Sequence, residues 1–241
     1  MLAPLNQKSS MENKFSKTIT YVDDIPDGLV LDVKDDTSLL LLLASFGSLS
    51  DKKITVNVGR NSSFRGVFAD FSSSSFNFSL NVNLNGEGGE CEWRLASLSR
   101  GDNKKVFEPS VTHVAPRTQA LMSNYGITRD SSYLTFAGVS AIPHGSVKTV
   151  TRQEAKIIVF DPLSGGRASP ILRIADNNVD ASHAASVGRL SEEHLFYLES
   201  RGVSLEEAKR LITLGYLKPI ETYFDDDSIK ARIDKAIEGG L

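Results

Sequence analysis

The stretch FNFSLNVNLN, residues 76–85, alternates apolar and polar side chains at every step. Its apolar members are Phe76, Phe78, Leu80, Val82 and Leu84, and its polar members are Asn77, Ser79, Asn81, Asn83 and Asn85. Successive side chains of a β-strand point to opposite faces, so this pattern predicts a strand with one buried face and one polar face.

The chain before this stretch gives a weaker signal. Ile54, Val56 and Val58 alternate with polar residues and predict another strand. The apolar run at residues 39–46 fits a buried strand or a buried helical turn, and periodicity does not decide between them. Residues 1–35 show no sustained periodicity and are interpreted as an N-terminal arm.

Six further strands are predicted after residue 85, at 91–98, 106–114, 118–127, 133–139, 157–160 and 171–175. Clusters of turn-forming residues separate most of them. Short strands with no room for crossover helices exclude a doubly wound sheet and leave a sandwich, a barrel or a β-helix. No strict internal repeat is visible, so the pattern alone leaves these three architectures open.

The C-terminal part of the chain changes to helical patterning. Ser191 is the expected N-cap of a first helix that Gly202 ends in the left-handed conformation. Ser204 and Glu207 form a capping box for a second helix, which Gly215 is expected to end. A third helix is predicted from apolar residues four positions apart, at Ile229, Ile233 and Ile237. The expected division is an arm at 1–35, a strand-rich body at 36–182 and a helical domain at 183–241.

Composition narrows the class of protein. The 241 residues are 40% hydrophobic and 24% charged, as in an ordinary globular protein, and the formal net charge of -3 provides no basic field for nucleic acid. The single cysteine, Cys91, excludes an internal disulfide and fits a reducing compartment. The sequence shows no signal-peptide core and no apolar run long enough to span a bilayer, which predicts a cytoplasmic protein.

Few residues are candidates for chemistry. Cys91 lies between Glu90 and Glu92, whose charges raise the pKa of a thiol, so it is a poor nucleophile. His113 precedes Pro116 in a predicted turn and is interpreted as structural. His183 could ligate iron, although a lone histidine where strands give way to helices is more often a hydrogen-bonded structural residue. No phosphate-binding G-x-x-x-x-G-K-[ST] motif occurs.

Three segments resemble the SufB/SufD family of iron–sulfur cluster assembly proteins. VTHVAPRT at 111–118 resembles that family's H-x-A-P-x-T stretch, and YLTFAGV at 133–139 resembles its F-x-G strand. The third is ADNNVDASHAASVGRL at 175–190, followed by LFYL at 195–198 and RG at 201–202. It is similar to the family run A-D-D-V-x-x-S-H-x-A-x-V-G-x-L with L-F-Y-L-x-S-R-G after it.

The resemblance implies a mainly β fold, a right-handed parallel β-helix followed by a small C-terminal helical domain. It also implies a non-enzymatic scaffold that pairs through its β-helix with a SufB-type paralogue or a second copy of itself, with neither nucleic acid nor membrane as a partner. Its C-terminal helices would dock a SufC-type ABC ATPase. No cofactor is expected to be tightly bound, but His183 would help to hold a transient iron–sulfur cluster or iron, with further ligands from a partner protomer.

Departures from the family pattern indicate a short or divergent member closer to the SufD type. Ser182, His183 and a following small residue fit that type. SufB-type proteins carry a glutamate where this chain has Ala184 and a late cysteine that this chain lacks. SufD-type proteins often carry a cysteine where this chain has Ala181. The sulfur-accepting chemistry of the family is therefore not expected here.

The resemblance also suggests where the ATPase binds. Four successive apolar residues at 195–198 are more than one helix face can bury, so some should form a docking groove or cap the open end of the β-helix. The residues expected to contact a partner are Leu195, Phe196, Tyr197, Leu211, Leu214 and Tyr216. Alternative functions are a self-paired minimal scaffold that holds the nascent cluster itself, and a β-helix protein that binds or cleaves polysaccharide.

Overall fold

The computed structural model describes residues 15–190 and 192–239, without the side chains of Glu192 and His194. The expected N-cap Ser191 lies outside the described residues. The strands are β1 Lys17–Val22, β2 Leu29–Val33, β3 Ser38–Ser45, β4 Lys52–Val58, β5 Ser63–Asp70, β6 Phe76–Leu84, β7 Glu90–Ser99, β8 Lys104–His113, β9 Gln119–Thr128, β10 Tyr133–Phe136, β11 Val139–Ile142, β12 Thr149–Val159, β13 Gly165–Ala168, β14 Ile171–Ile174 and β15 Val179–Arg189. The helices are α1 Glu192–Ser200, α2 Leu205–Leu217 and α3 Asp227–Glu238, with a 3₁₀ helix at Lys218–Tyr223 between the last two.

The strands form two parallel sheets, and the chain alternates between them. One sheet has the order β1-β3-β5-β7-β9-β12-β15 and the other the order β2-β4-β6-β8-β10-β13, with β11 and β14 continuing the pairing beside β8. Together they make a β-solenoid of about six turns. Of the three architectures that the sequence pattern left open, the β-helix is therefore confirmed.

The interior of the solenoid is an apolar column. In β6 the alternation is confirmed, since Phe78, Leu80 and Val82 are buried while Asn77 is exposed. Aromatic rings contact one another along the column: the centroid of Phe78 lies 4.9 Å from that of Phe68 in a tilted arrangement and 5.8 Å from that of Trp93 in a stacked one. Such pairs stabilise by about 0.5–1.5 kcal/mol beyond the area they bury.

Two boundaries differ from the sequence expectation. The ambiguous run at 39–46 is the strand β3, and its pairing with β1 makes β1 and β2 part of the first coil rather than an arm. Residues 1–14 lie outside the described residues. At the other end β15 continues to Arg189, beyond the division expected at 183. β1 and β15 lack strong apolar alternation, so their own sequences do not predict strands. Their strand structure comes from pairing with β3 and β12.

The helix signals are partly confirmed. Ser204 caps α2 and its hydroxyl accepts a hydrogen bond from the Glu207 amide at 3.2 Å. Gly202 follows α1 with a φ of +84°. The prediction that Gly215 ends the second helix is wrong, because α2 runs to Leu217 and passes directly into the 3₁₀ helix. The third helix is confirmed as α3, with Asp226 as its N-cap.

The helices lie along the flank of the solenoid. Apolar residues of α2, the 3₁₀ helix and α3 pack on the outer face of the seven-stranded sheet. This second core contains Leu217, Ile220, Phe224, Ile229, Ile233 and Ile237 from the helices and Leu42, Val67, Ala69, Ala96, Leu98 and Ile127 from the sheet. Ala44, Ala69 and Ala96 stand in register on adjacent strands, and their small side chains let the helices approach closely. These helices therefore cover the side of the β-helix and not its open end.

One ion pair is fully buried where two coils meet. The Lys105 ammonium donates to Asp70 Oδ2 at 2.8 Å and to the main-chain carbonyls of Ser72 and Leu98. Asp70 also accepts hydrogen bonds from the hydroxyls of Ser72 and Ser97 at 2.6 Å each. Burial lowers the pKa of Lys105, and the pairing with Asp70 opposes this shift. Removing one partner would leave the other as an uncompensated buried group.

We expect Lys105→Met to lower the free energy of unfolding by about 3 kcal/mol or more, because the Asp70 carboxylate loses its counter-charge in a dry site. Urea unfolding followed by circular dichroism measures this. The matched control is Lys104→Met, one residue earlier and exposed, which should change stability by less than about 0.5 kcal/mol. Equal effects of the two substitutions would show that the ion pair is not important for stability.

His113 is buried at the end of β8. Its Nδ1 shares a 2.8 Å hydrogen bond with Thr118 Oγ1, whose hydroxyl reaches the carbonyl of Ala115, so the imidazole closes the turn that contains Pro116. Its Nε2 is buried without a hydrogen-bond partner among the described residues. Burial lowers the pKa of His113 to about 4. The ring is therefore neutral in the folded protein at physiological pH.

This burial predicts a pH dependence of stability. Between about pH 6.5 and the folded value near 4, the unfolded chain binds a proton at His113 that the folded chain does not. Stability should thus be complete above pH 6.5 and decline as pH falls through this window, by on the order of 3 kcal/mol from this residue. Denaturant unfolding at pH 7.5 and pH 4.5 should show a smaller decline for His113→Asn, which does not titrate. Parallel declines in both proteins would contradict the assignment.

Candidate functional site

The last strand leaves one end of the seven-stranded sheet open. Within the described part of the chain β15 pairs with β12 along its 11 residues, and no strand follows it on its other side. Most of its residues are exposed, including Val187. An edge strand of this length presents a row of main-chain donors and acceptors to a partner. This strand was not predicted from the sequence, because Ala, Ser and Gly residues give β15 little apolar alternation.

His183 lies in the middle of β15 and is exposed. In the parallel register it stands beside Gln153 of β12, whose side chain is buried in the interior. Register partners point to the same face of a sheet, so the imidazole projects towards the interior side, at the mouth of the solenoid. The residue is therefore within a strand and not at the join between strand and helix where the sequence placed it.

The interior beneath His183 is polar. The Gln153 amide donates to Ser140 Oγ at 2.8 Å and to the main-chain carbonyl of Ile171 at 3.0 Å, and the Thr151 hydroxyl donates to Ser140 Oγ at 3.0 Å. The aromatic column of the earlier coils thus gives way to hydrogen-bonded, neutral groups at the open end. These groups fix the position of β12. None of them is a charged side chain that could ligate a metal ion together with the imidazole.

The register explains the two departures from the family pattern. Ala181 stands beside Thr151, on the same face as His183, whereas Ala184 stands beside Glu154, on the outer face. A cysteine at position 181 would share the side of the imidazole, and a glutamate at 184 would not. No cluster of three or more His, Cys, Asp or Glu side chains suited to a metal ion occurs among the described residues. A single imidazole does not hold an iron ion by itself, so within these residues His183 would be one ligand of a larger set.

An ion pair fastens the edge strand to its neighbour. Arg152 on β12 donates from both terminal nitrogens to the Asp180 carboxylate on β15, at 2.8 and 2.6 Å. These hydrogen bonds lower the pKa of Asp180. The bidentate contact holds the start of β15 on the surface of the sheet.

The predicted partner-binding residues divide into two groups. Phe196 and Tyr197 on α1 are 72% and 54% exposed, and Leu211 on α2 is 46% exposed. Leu195, Leu214 and Tyr216 are only partly exposed, and the last two pack against the flank core. The exposed apolar patch is therefore formed by Phe196, Tyr197 and Leu211, a smaller set than the sequence suggested.

Cys91 faces the apolar interior from β7. Burial raises the pKa of its thiol, and the neighbouring Glu92 adds to the shift. The neighbouring carboxylates were expected from the sequence to be the cause of the raised pKa, but burial is the larger effect. The thiol is not a candidate for sulfur chemistry.

No helix among residues 15–190 and 192–239 is both long enough and apolar enough to cross a membrane.

Residues 45–216 match a protein-family model described as the SufBD core domain of the SUF system for FeS cluster assembly. The iron–sulfur cluster assembly protein SufD of Bacillus subtilis is 32% identical over 157 residues, which cover 65% of this chain and 36% of that protein. SufB of the same organism is 28% identical over 136 residues, covering 56% and 29%. An iron–sulfur cluster assembly SufBD family protein of Staphylococcus saprophyticus is 30% identical over 139 residues, covering 58% and 30%. The chain spans about a third of the length of these relatives.

The matched residues include most of the solenoid, the edge strand with His183 and nearly all of α2. They favour a scaffold of cluster assembly over a β-helix protein that acts on polysaccharide. The family model covers most of the chain, and the protein therefore belongs to the SufB/SufD family of SUF iron–sulfur cluster assembly proteins, closer to SufD than to SufB.

Proposed function

We propose that this chain is a non-enzymatic, SufD-like scaffold subunit of the SUF machinery. It pairs at the open end of its β-helix with a SufB-type paralogue or a second copy of itself, and it docks a SufC-type ABC ATPase on its C-terminal helices. The observation that carries the proposal is β15, an exposed edge strand that bears His183 within the segment that matches the family. The proposed location is the cytoplasm, as expected from the sequence.

The edge strand supports the pairing part of the proposal. Main-chain groups along its free side can add a strand from a partner, which is a common mode of protein recognition. Ala184, Ala185, Ser186 and Gly188 have small side chains that permit two backbones to approach closely. Because the coil stack ends at β15, such pairing would satisfy the last unpaired strand of the sheet.

Iron or a nascent cluster is cargo that passes through the site. His183 would supply one imidazole ligand at the mouth of the solenoid, and the paired protomer would supply the rest. The neutral groups below it, at Gln153 and Ser140, keep the imidazole side of β15 free of competing charge. The small side chain of Ala181 on the same face leaves room for ligands from the partner.

The apolar patch supports the docking part. Phe196, Tyr197 and Leu211 expose apolar and aromatic surface on two adjacent helices, and α1 packs against α2 without reaching the flank core. Exposed aromatic residues of this kind are enriched among those that dominate binding energy. A partner that closes over α1 and α2 would bury them.

The first test concerns the pairing strand. Ala184→Lys places a charge on the exposed edge, a substitution that blocks strand addition, and should weaken the dimer by roughly tenfold or more. The molar mass of the chain alone and with a SufB-type protein, measured by light scattering after gel filtration, reports this.

The matched control for pairing is Val30→Lys, at an exposed position of β2 at the opposite end of the solenoid. It should leave the mass unchanged. A loss of pairing in Val30→Lys, or its persistence in Ala184→Lys, would place the interface elsewhere. Mass doubling of the chain alone, with cluster reconstitution on that dimer, would favour the self-paired alternative.

The second test concerns the ATPase. The double substitution Phe196→Ala and Tyr197→Ala should reduce co-purification with a SufC-type ATPase by roughly tenfold, because it removes two exposed aromatic contacts. The control Val114→Ala removes exposed apolar surface after β8, away from the helices, and should have no effect. Undiminished capture by the double variant would reject the docking surface. Failure of the unaltered protein to bind with and without ATP would reject the docking part of the proposed function.

A further inference from the structure

A cleft of about 790 Å³ separates the C-terminal helices from part of the sheet on which they lie. Its floor is the outer face of β7, β9 and β12, and its roof is the end of α2 with the following 3₁₀ helix. The lining residues include Arg94, Ser123, Tyr125 and Lys156 on the floor and Gly215 and Tyr216 on the roof. The lining of the cleft includes neither His183 nor the exposed patch of Phe196, Tyr197 and Leu211.

Two cations converge on the middle of the floor from opposite sides. Arg94 extends from β7 and donates from Nη1 to Ser123 Oγ on β9 at 3.2 Å. Lys156 extends from β12, on the other side of β9, and its Nζ lies 5.6 Å from the centroid of the Tyr125 ring. Ser123 and Tyr125 are two residues apart on one strand and so share a face. Both positive groups therefore approach the same short segment of β9.

The charges around the floor do not cancel. Glu92 accepts hydrogen bonds from both Arg65 and Arg94, at 2.5 and 2.9 Å, so one carboxylate faces two guanidinium groups. Glu154 pairs with Lys156 and also accepts from the Tyr125 hydroxyl. Arg94 and Lys156 line the cleft, whereas their carboxylate partners Glu92 and Glu154 do not, so the side chains that face the cleft are positive.

The Glu154 carboxylate remains ionised in this setting. Burial raises its pKa, but the hydrogen bonds from Lys156 and Tyr125, together with the nearby positive charges, outweigh this and hold the pKa below its usual value. It therefore orients Lys156 and does not compete for a proton at neutral pH.

Gly215 is one of the roof residues that line the cleft. A Cβ atom at Gly215 would meet no other heavy atom within 4 Å, although the residue lies inside α2, where glycine weakens a helix relative to alanine. Beside it the Tyr216 ring meets the Tyr125 ring edge to face, with centroids 5.5 Å apart. The opening thus has an aromatic wall next to the converging cations.

We propose that this cleft binds a small molecule with one anionic group, a phosphate or a carboxylate, attached to a flat aromatic body. The anionic group lies between Arg94 and Lys156 above Ser123, where charge-assisted hydrogen bonds are available from both. The aromatic body lies against Tyr125 and Tyr216 beneath Gly215. The volume is in the usual range for small-molecule sites, which combine apolar walls with a few polar groups. Such binding is independent of the scaffold role.

Isothermal titration with four probes tests the proposal: phenyl phosphate, benzoate, inorganic phosphate and phenol. We expect phenyl phosphate or benzoate to bind roughly tenfold more tightly than phosphate or phenol alone, because only the first two combine both features. The comparison of phenyl phosphate with benzoate distinguishes the two anionic groups. Lys156→Met should weaken that binding by roughly tenfold.

The control for charge is Lys53→Met, an exposed lysine on the other sheet, which should not alter binding. The control for shape is Gly215→Ala, which should leave room for the probe, whereas Gly215→Phe should fill the cleft and abolish binding. Circular dichroism verifies that each variant is folded. If Gly215→Phe does not fold, the result for Lys156→Met alone tests the proposed site. Absence of binding by both aromatic anions, unchanged affinity in folded Gly215→Phe, or equal effects of Lys156→Met and Lys53→Met would overturn the proposal.

Discussion

The structure depends on the hydrogen bonds that each coil of the solenoid makes with the next. Every inner strand is paired on both sides in parallel register, so its main-chain groups are satisfied only when neighbouring coils are in place. Buried hydroxyls at the corners add to this: Ser62, Ser132, Ser146 and Ser164 each donate to a main-chain carbonyl of the preceding coil. The interior column and the flank helices both require a stack that these bonds have already aligned. The same requirement makes the last strand the natural place for a partner, since the stack stops there with one side unsatisfied.

The outer face of the seven-stranded sheet is divided between two kinds of contact. Over the earlier coils small and apolar residues, such as Ala69 and Ala96, support the helices. At the register positions of Ala69 and Ala96 the later strands carry Tyr125 and Lys156, and a cleft separates the helices from the sheet there. The cleft lies at this change of surface, and β15 lies beyond it. One face of one sheet thus provides an intramolecular interface, a pocket and a free edge in succession.

The sequence predicted the strands whose own side chains alternate, and it missed features that only stacking determines. β6 was recognised because one of its faces is apolar throughout, and β7 because Cys91, Trp93 and Leu95 alternate with charged residues. The repeat was not visible, because hydrogen-bonded neighbours in successive coils are 22 residues apart at Ser16–Ser38, 25 at Leu49–Ser74, 27 at Arg65–Glu92, 29 at Arg94–Ser123 and 31 at Thr118–Thr149. His183 was found through a motif, but its position on β15 and its facing depend on the pairing with β12. The cleft could not be predicted, because its cations come from strands more than 50 residues from its roof.

The contact between the last helix and the first coil has a consequence for how the molecule opens. Arg232 on α3 donates to Asp23, 209 residues earlier, and its guanidinium lies 4.2 Å from the centroid of the Phe46 ring. The first coils are therefore held in place by α3, whereas the final strand β15 has no such contact in the described structure. A stack with contacts only between neighbours unravels from its least protected end. Unfolding should thus proceed from β15 towards the coils that α3 contacts. A partner bound at β15 would protect the exposed end and stabilise the entire solenoid.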